Sequence, residues 1–170
     1  KNEKNDANDA QAICEAATRP KTRFVSIKSE EQQAVLCLHR IRQGAIKDRA
    51  ARINRLRGLL SEFGIIMPKG RYPLQKAISG VFEDAENNLP FLARELLNDL
   101  WQSIKGLHEE TLKYDRKFHA LANQMKDAKR LMSIPGIGEI TATAVVATVN
   151  DAKHFETNRS FAAWIDLVSR

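Results

Sequence analysis

The sequence predicts a mainly α-helical protein, in which two long helices are followed by a small helical module built around a glycine turn. Helix-forming residues dominate the composition and aromatic residues make up only 6%, which favours helices because straight side chains lose little rotamer freedom in them. Two long stretches repeat apolar residues every three or four positions, as a helix with one buried face does. Glycine and proline cluster between these stretches and predict the connections.

The composition limits the possible classes of protein. A chain of 170 residues with 43% hydrophobic residues suits one folded domain or two small ones. The net charge of +6 agrees with an acidic partner, although basic charge alone does not identify one. Cys14 and Cys37 form no CxxC pair, so a disulfide framework or zinc ribbon is not expected. No apolar run approaches the roughly 20 residues of a membrane span, and the charged start is no signal peptide. We expect a cytoplasmic protein without a membrane partner.

The first half of the chain predicts two helices. A short helix covers Asp9–Ala17, and an extended connector covers Phe24–Ile27. Ser29 precedes two glutamates and a glutamine, which predicts the start of a long helix. That helix runs to about Phe63, where Gly64 is a natural C-cap. Its apolar positions are Val35, Leu38, Ile41, Ala45, Ile53, Leu56, Leu60 and Phe63.

A second long helix is predicted from Pro90 to about Lys129, roughly 60 Å at 1.5 Å per residue. A short helix over Leu74–Phe82 interrupts the connection before it. Apolar residues in the long helix alternate steps of four and three: Leu100, Ile104, Leu107, Thr111, Tyr114, Phe118, Leu121 and Met125. Such heptads predict a coiled coil. We expect the two long helices to form an antiparallel hairpin with their seams together, and self-association into a homo-oligomer would use the same residues.

The turn Ile134-Pro135-Gly136-Ile137-Gly138 fits a helix-hairpin-helix pattern and leads into a helix from Glu139 to about Val149. Gly136 and Gly138 allow the backbone amides, including that of Ile137, to approach a phosphate closely. The helix N-terminus adds partial positive charge at the same point. Basic residues near the turn are Lys129, Arg130 and Lys153. The acid Glu139 opposes this interpretation, and the alternative is a compact corner between two helices.

Two aspartates, Asp6 and Asp9, stand three residues apart at the first helix start. This spacing puts both carboxylates on one helix face, where hard oxygen ligands could share a Mg²⁺ ion. On spacing alone, helix capping is the favoured explanation of the same residues.

A basic stripe is predicted on the first long helix. Between His39 and Gly58 there are seven basic residues and one acid. Four of the arginines recur near helical spacing: Arg42, Arg49, Arg52 and Arg55. They predict either a phosphate-binding face, whose contacts would release counterions, or a solvated face whose stems cover apolar neighbours.

Several stretches in the correct order resemble one family, the DEDD-type insertion-sequence transposases. These are recombinases of bacterial mobile elements with a RuvC-like catalytic domain. The stretches are KNDANDAQAICEA, RFVSIKSEEQQAVLCLHRIR, INRLRGLLSEFGI and LMSIPGIGEITATAVVATVNDAKHFETNRSFAAWIDLV. Together they span nearly the whole chain.

The resemblance implies an organisation and a set of partners. Residues 1–28 would be the end of the RuvC-like domain, including its last helix, and a linker. Residues 29–129 would be the coiled-coil region, and residues 130–170 the start of a C-terminal transposase domain. Asp6 and Asp9 match the family's last two acids, which implies Mg²⁺ catalysis on DNA. The family's structured guide RNA becomes a further expected partner, and the arginine stripe a candidate contact for it.

Two departures from the family pattern bear on activity. The resemblance puts the family's first two acids upstream of this chain, so Asp6 and Asp9 are half of a site. The stretch Asp166–Arg170 carries Ser169 where the family usually has proline, so we do not assign Ser169 as the nucleophile. We expect this chain alone to be inactive. The alternatives to a recombinase part are a non-catalytic helical module that binds nucleic acid and a helical scaffold for self-association.

Overall fold

The computed structural model describes residues 6–20 and 27–149, together with residues 155, 157, 159 and 161. Six helices are described: α1 (Asp6–Thr18), α2 (Glu30–Glu62), α3 (Arg71–Glu83), α4 (Phe91–Gln124), α5 (Lys126–Met132) and α6 (Glu139–Thr148). No described residue lies in a strand, so the predicted mainly α class is confirmed. Most of the connector predicted over Phe24–Ile27, and also Lys153 and Ser169, lie outside the described residues.

The two ends of α2 follow the local signals in the sequence. The Ser29 hydroxyl accepts a hydrogen bond from the Gln32 amide at 3.1 Å, and the Gln32 side chain accepts one from the Ser29 amide at 2.9 Å. This is a capping box. At the other end Gly64 has φ 77°, and the Ile65 amide donates to the Leu60 carbonyl at 3.0 Å. A residue with positive φ after the helix, followed by a residue whose amide bonds back to the last helical turn, is a Schellman motif. Both predicted ends of α2 are confirmed.

The helices α2 and α4 pack against each other along their length and run in opposite directions. Arg42 contacts Asp115, whereas Arg49, farther along α2, contacts His108, which is earlier on α4. Every seventh residue of α4 in this region, Ile104, Thr111 and Phe118, is buried. These heptad positions are therefore buried by packing within one chain.

The main core lies where α3 and its flanking loops cover one end of this pair. Its buried members are Leu56, Leu60, Met67, Leu74, Ile78, Leu89, Leu97 and Ile104. One predicted core position is wrong: the side chain of Ile41 is exposed. Ile41 shares a face of α2 with Cys37 and Asp48, which are also exposed, because α4 covers only part of the helix surface.

The second long helix ends earlier than its sequence predicts. It stops at Gln124, and Met125 is extended, with φ −85° and ψ 113°, before α5 begins. No glycine or proline causes this break. It lets Ala128 pack with Ala122 and Ala142 in a second cluster in which all three alanines are fully buried. Tertiary packing of small residues thus overrides the local helix preference. No helix in the described part combines the length and apolar content that a membrane span requires.

Candidate nucleic-acid interface

The glycine turn between α5 and α6 has a defined local geometry. The Ile137 amide donates to the Ile134 carbonyl at 3.1 Å, and Gly136 has φ 89°. Proline followed by a glycine with positive φ is the pattern of a type II turn, so Pro135 and Gly136 are explained by the turn itself. Pro135 and Gly136 are exposed, which leaves the turn accessible to a ligand.

The N-terminus of α6 is open next to this turn. Gly138 is its N-cap residue, with φ −90° and ψ 177°, and no side chain caps the helix. The first amides of a helix have no partner within the helix, and among the described residues no side chain caps those of α6. A Cβ at Gly138 would meet no heavy atom within 4 Å. Packing therefore does not require glycine at this position, whereas close approach of a ligand to the amides would favour it.

Ile137 has a supporting position in this turn. Its side chain packs against the second cluster, beside Ala128 and Ala142. Its amide is already used by the turn, as described above. In this geometry the Ile137 side chain anchors the turn to the second cluster.

The acid at the start of α6 has a partner on α4. The Glu139 carboxylate lies 2.5 Å from His119 Nδ1, and the His119 ring also contacts the Asn123 side chain at 3.2 Å. The sequence raised Glu139 as an obstacle to phosphate binding, but gave no sign of His119, which is twenty residues earlier. This contact holds the carboxylate toward α4.

The basic stripe divides into two groups. Arg42 Nε donates to Asp115 Oδ1 at 2.6 Å, and the two side chains are 18% and 38% exposed. Arg49 Nη1 contacts His108 Nδ1 at 3.1 Å. These two arginines, seven residues apart, face α4 and help to join the helices. Arg52 is half-buried, like Arg42 and Arg49, and Arg55 is the exposed member of the stripe.

The two aspartates lie in the first turn of α1, and both are exposed. Within the described ranges, no group of three or more His, Cys, Asp or Glu side chains is arranged to hold a metal ion. The donor set of Asp6 and Asp9 nevertheless fits Mg²⁺, because this ion commonly takes one or two carboxylates from the protein and completes its shell with waters and substrate phosphates. The same acids also favour the helix dipole.

A buried polar contact fixes α6 against both long helices. The His39 ring lies 4.3 Å from the ring of Phe118, measured between centroids, and its Nε2 lies 3.2 Å from the Thr143 hydroxyl. Burial, and secondarily the charge of Arg42, lower the pKa of His39. The turn is thus carried on a helix anchored to α2 and α4.

Comparison with known proteins identifies the family. Residues 128–170 match the family model described as Transposase IS116/IS110/IS902 family, and residues 1–65 match the transposase model of the DEDD IS110 type. The chain belongs to the IS110/IS116 family of transposases. The turn and α6 lie in the first matched segment, and Asp6, Asp9 and the whole stripe lie in the second.

Curated relatives cover the entire chain. It is 42% identical over 171 residues to a probable family 20 transposase of Pseudomonas aeruginosa, covering 100% of this chain and 51% of the relative. It is 39% identical over 170 residues to the transposase for insertion sequence element IS1111A of Coxiella burnetii, with 100% and 47% covered. For the transposase of IS1328 from Yersinia enterocolitica the identity is 40% over 173 residues, with 100% and 50% covered. The chain spans about half the length of these relatives. No solved structure matches it significantly.

Proposed function

We propose that α5, the glycine turn and α6 form a helix-hairpin-helix that holds the phosphate backbone of DNA within a DNA transposase. The observation that carries this proposal is the N-terminus of α6 at Gly138, whose amides no side chain of the described residues caps. Amides and helix dipole together favour an anion at that point. Such contacts position a strand without reading its bases. Lys129 and Arg130, both exposed in the last turn of α5, add charge of the required sign.

The remaining elements have distinct roles in this proposal. The α2–α4 pair holds the turn on a rigid support, while Arg52 and Arg55 contact the backbone of DNA or of a structured guide RNA. Arg42 acts mainly within the fold, because it pairs with Asp115 on α4, and Arg49 contacts His108 on the same helix. Self-association into a homo-oligomer requires surfaces other than the buried heptad positions, since Ile104 and its equivalents are already covered.

Asp6 and Asp9 are the residues that would hold Mg²⁺ in this proposal. When bound, Mg²⁺ orients a scissile phosphate and neutralises its charge. Both side chains are exposed and can therefore reach a substrate and further acids elsewhere in a complete site. The test is magnesium-dependent strand exchange by the product of the whole reading frame. Asp6→Asn and Asp9→Asn should each abolish exchange while leaving DNA affinity within about threefold. Exchange that survives both changes would support the non-catalytic binding module instead.

The role of the turn is tested by two matched substitutions at the same position, Gly138→Asp and Gly138→Asn. Aspartate and asparagine cap helices about equally well, and the extended backbone of Gly138 accepts either residue. Only aspartate places a negative charge over the α6 amides. Binding of a labelled 20-base-pair DNA duplex is followed by fluorescence anisotropy over a range of salt concentrations.

We expect Gly138→Asp to weaken DNA binding at least tenfold and Gly138→Asn to weaken it clearly less. Both variants should unfold at or above the urea concentration of the unsubstituted chain. Equal affinities for the two variants would exclude a phosphate at the α6 N-terminus. If the unsubstituted chain does not bind duplex DNA at all, the scaffold alternative is favoured.

A further inference from the structure

A second group of cations lies away from the glycine turn, in a cleft between α2, α3 and α4. The cleft has a volume of about 40 Å³. Its polar lining includes Arg49 from α2, Arg71 from the start of α3, and Lys105 and His108 from α4. Its apolar walls include Ile53, Leu74, Trp101 and Ile104. Apolar walls reduce the local dielectric screening and strengthen the field of charges beside them.

The hydrogen bonding around His108 is mismatched. Arg49 Nη1 lies 3.1 Å from His108 Nδ1, and Arg71 Nη2 lies 2.8 Å from His108 Nε2. A guanidinium only donates, and a neutral imidazole has a single acceptor nitrogen. One of these two contacts therefore brings two donors together, whichever tautomer is present.

Protonation of His108 would increase the mismatch, since both ring nitrogens would then be donors. It is also opposed electrostatically: burial, followed by Arg71 and Arg49, lowers the pKa of His108. The cluster thus contains more hydrogen-bond donors than acceptors. His108 does not balance the positive charges of Arg49 and Arg71.

Nearby acids do not resolve this excess. Asp115 already accepts the hydrogen bond of Arg42 at 2.6 Å. Glu109 acts on His108 only through its charge and is exposed. Arg49 and Arg71 repel each other. The pKa of Arg49 is lowered first by burial and second by the charge of Arg71. An anion with several acceptor oxygens would satisfy all of these donors.

We propose that this cleft binds one phosphate group, held by Arg49, Arg71 and Lys105, with His108 as a further ligand or as a spacer between the arginines. The cleft exceeds the roughly 10–15 Å³ that a single water requires. The phosphate belongs either to a nucleic-acid backbone or to a free phosphate or phosphorylated small molecule. The site does not depend on whether the glycine turn binds DNA.

Arg71→Gln is the diagnostic variant, because Arg71 is exposed and its loss removes one ligand while leaving the core intact. Arg116→Gln is the matched control: Arg116 is an exposed cation on α4 and does not line the cleft. Circular dichroism verifies that both variants fold. The first arm titrates inorganic phosphate at constant ionic strength, adjusted with sodium chloride, and follows the NMR signals of the His108 ring and the Tm.

In the first arm we expect a saturable shift of the His108 signals and a Tm that rises with phosphate, as linkage requires for a ligand of the folded state. Arg71→Gln should raise the Kd for phosphate about tenfold or more, because it removes charge-assisted hydrogen bonds. Arg116→Gln should leave the Kd within about twofold.

The second arm measures binding of a 20-base-pair duplex and a structured RNA hairpin by anisotropy against salt concentration. A backbone phosphate in the cleft predicts that Arg71→Gln lowers affinity and reduces the salt slope by about one, whereas Arg116→Gln changes both less. A free phosphate predicts weaker phosphate binding in Arg71→Gln with nucleic-acid affinity equal to the control. The proposal is overturned if Arg71→Gln and Arg116→Gln behave alike in both arms.

Discussion

The Nε2 atom of His39 on α2 lies 3.2 Å from the hydroxyl of Thr143 on α6. Thr143 is fully buried, and its hydroxyl donates to the Glu139 carbonyl at 2.8 Å. If the hydroxyl gives its proton to the Glu139 carbonyl, it accepts from His39, and the neutral ring then carries its proton on Nε2. One polar contact thus connects the helix that begins at the glycine turn to the long helical pair.

Replacing Thr143 with valine should lower the free energy of unfolding by about 1–3 kcal/mol, because it leaves a buried imidazole donor without an acceptor. Thr141→Val makes the same chemical change on the exposed side of α6, and it should change the stability by less than about 0.5 kcal/mol. Urea unfolding followed by circular dichroism measures both. Adding His39→Phe to Thr143→Val removes the unpaired donor and should recover part of the loss. Equal effects of the two valine substitutions would contradict the assigned hydrogen bond.

The stability of the fold should decrease as the pH falls below about 6.5. Burial lowers the pKa of both His39 and His108 in the folded protein, so between those lowered values and 6.5 the unfolded chain binds more protons. Stability therefore rises with pH across this window and is fully present above 6.5. Urea midpoints measured from pH 5 to pH 8 test the sign. His39→Gln should flatten the dependence, and a midpoint that rises on acidification would refute the argument.

Local sequence signals identified several features correctly. Ser29 and Gly64 gave the two ends of α2 because capping depends on residues within one or two turns. The pair Pro135-Gly136 likewise specifies its own turn. Heptad spacing on α4 indicated which residues are buried, since Ile104 and Phe118 recur at the period of a packed helix.

Features that depend on distant residues could not be predicted in the same way. The end of α4 at Gln124 follows from burial of Ala128 against α6, which no neighbouring residue signals. Sequence spacing placed Arg42 and Arg49 on one stripe with Arg52 and Arg55, but it could not show that α4 covers one edge of that stripe. The partner of Glu139 on α4 was missed for the same reason.

The division of the stripe predicts different effects for Arg42 and Arg55. Arg42→Gln breaks a partly buried ion pair with Asp115 and should lower the free energy of unfolding by roughly 1–2 kcal/mol. Arg55→Gln changes an exposed side chain and should leave stability within about 0.5 kcal/mol. If Arg55 contacts a phosphate, its loss should weaken binding to all sequences similarly and reduce the salt slope by about one. Urea unfolding and anisotropy separate these effects.

The coupling between Arg42 and Asp115 is measured by a double-mutant cycle with Asp115→Asn. We expect a favourable coupling of about 1 kcal/mol, larger than that of a fully exposed pair because the Arg42 side chain is only 18% exposed. A coupling near zero would mean that Arg42 is free to serve the basic surface, as the sequence alone suggested.

Gly136 and Gly138 should respond differently to the same substitution by alanine. Gly136 has φ 89°, a conformation in which a Cβ is strained, so Gly136→Ala should destabilise the chain by about 1–2 kcal/mol. Gly138 has φ −90° and space for a Cβ, so Gly138→Ala is free of backbone strain and should cost about 0.5–1 kcal/mol through the poorer capping by alanine. If the amides of α6 hold a phosphate, Gly138→Ala should nevertheless weaken DNA binding, because its methyl group obstructs the approach. Urea unfolding measures the stability of the two variants, and anisotropy measures their affinity for DNA. A Gly138→Ala variant with unchanged DNA affinity would show that Gly138 has no role in binding.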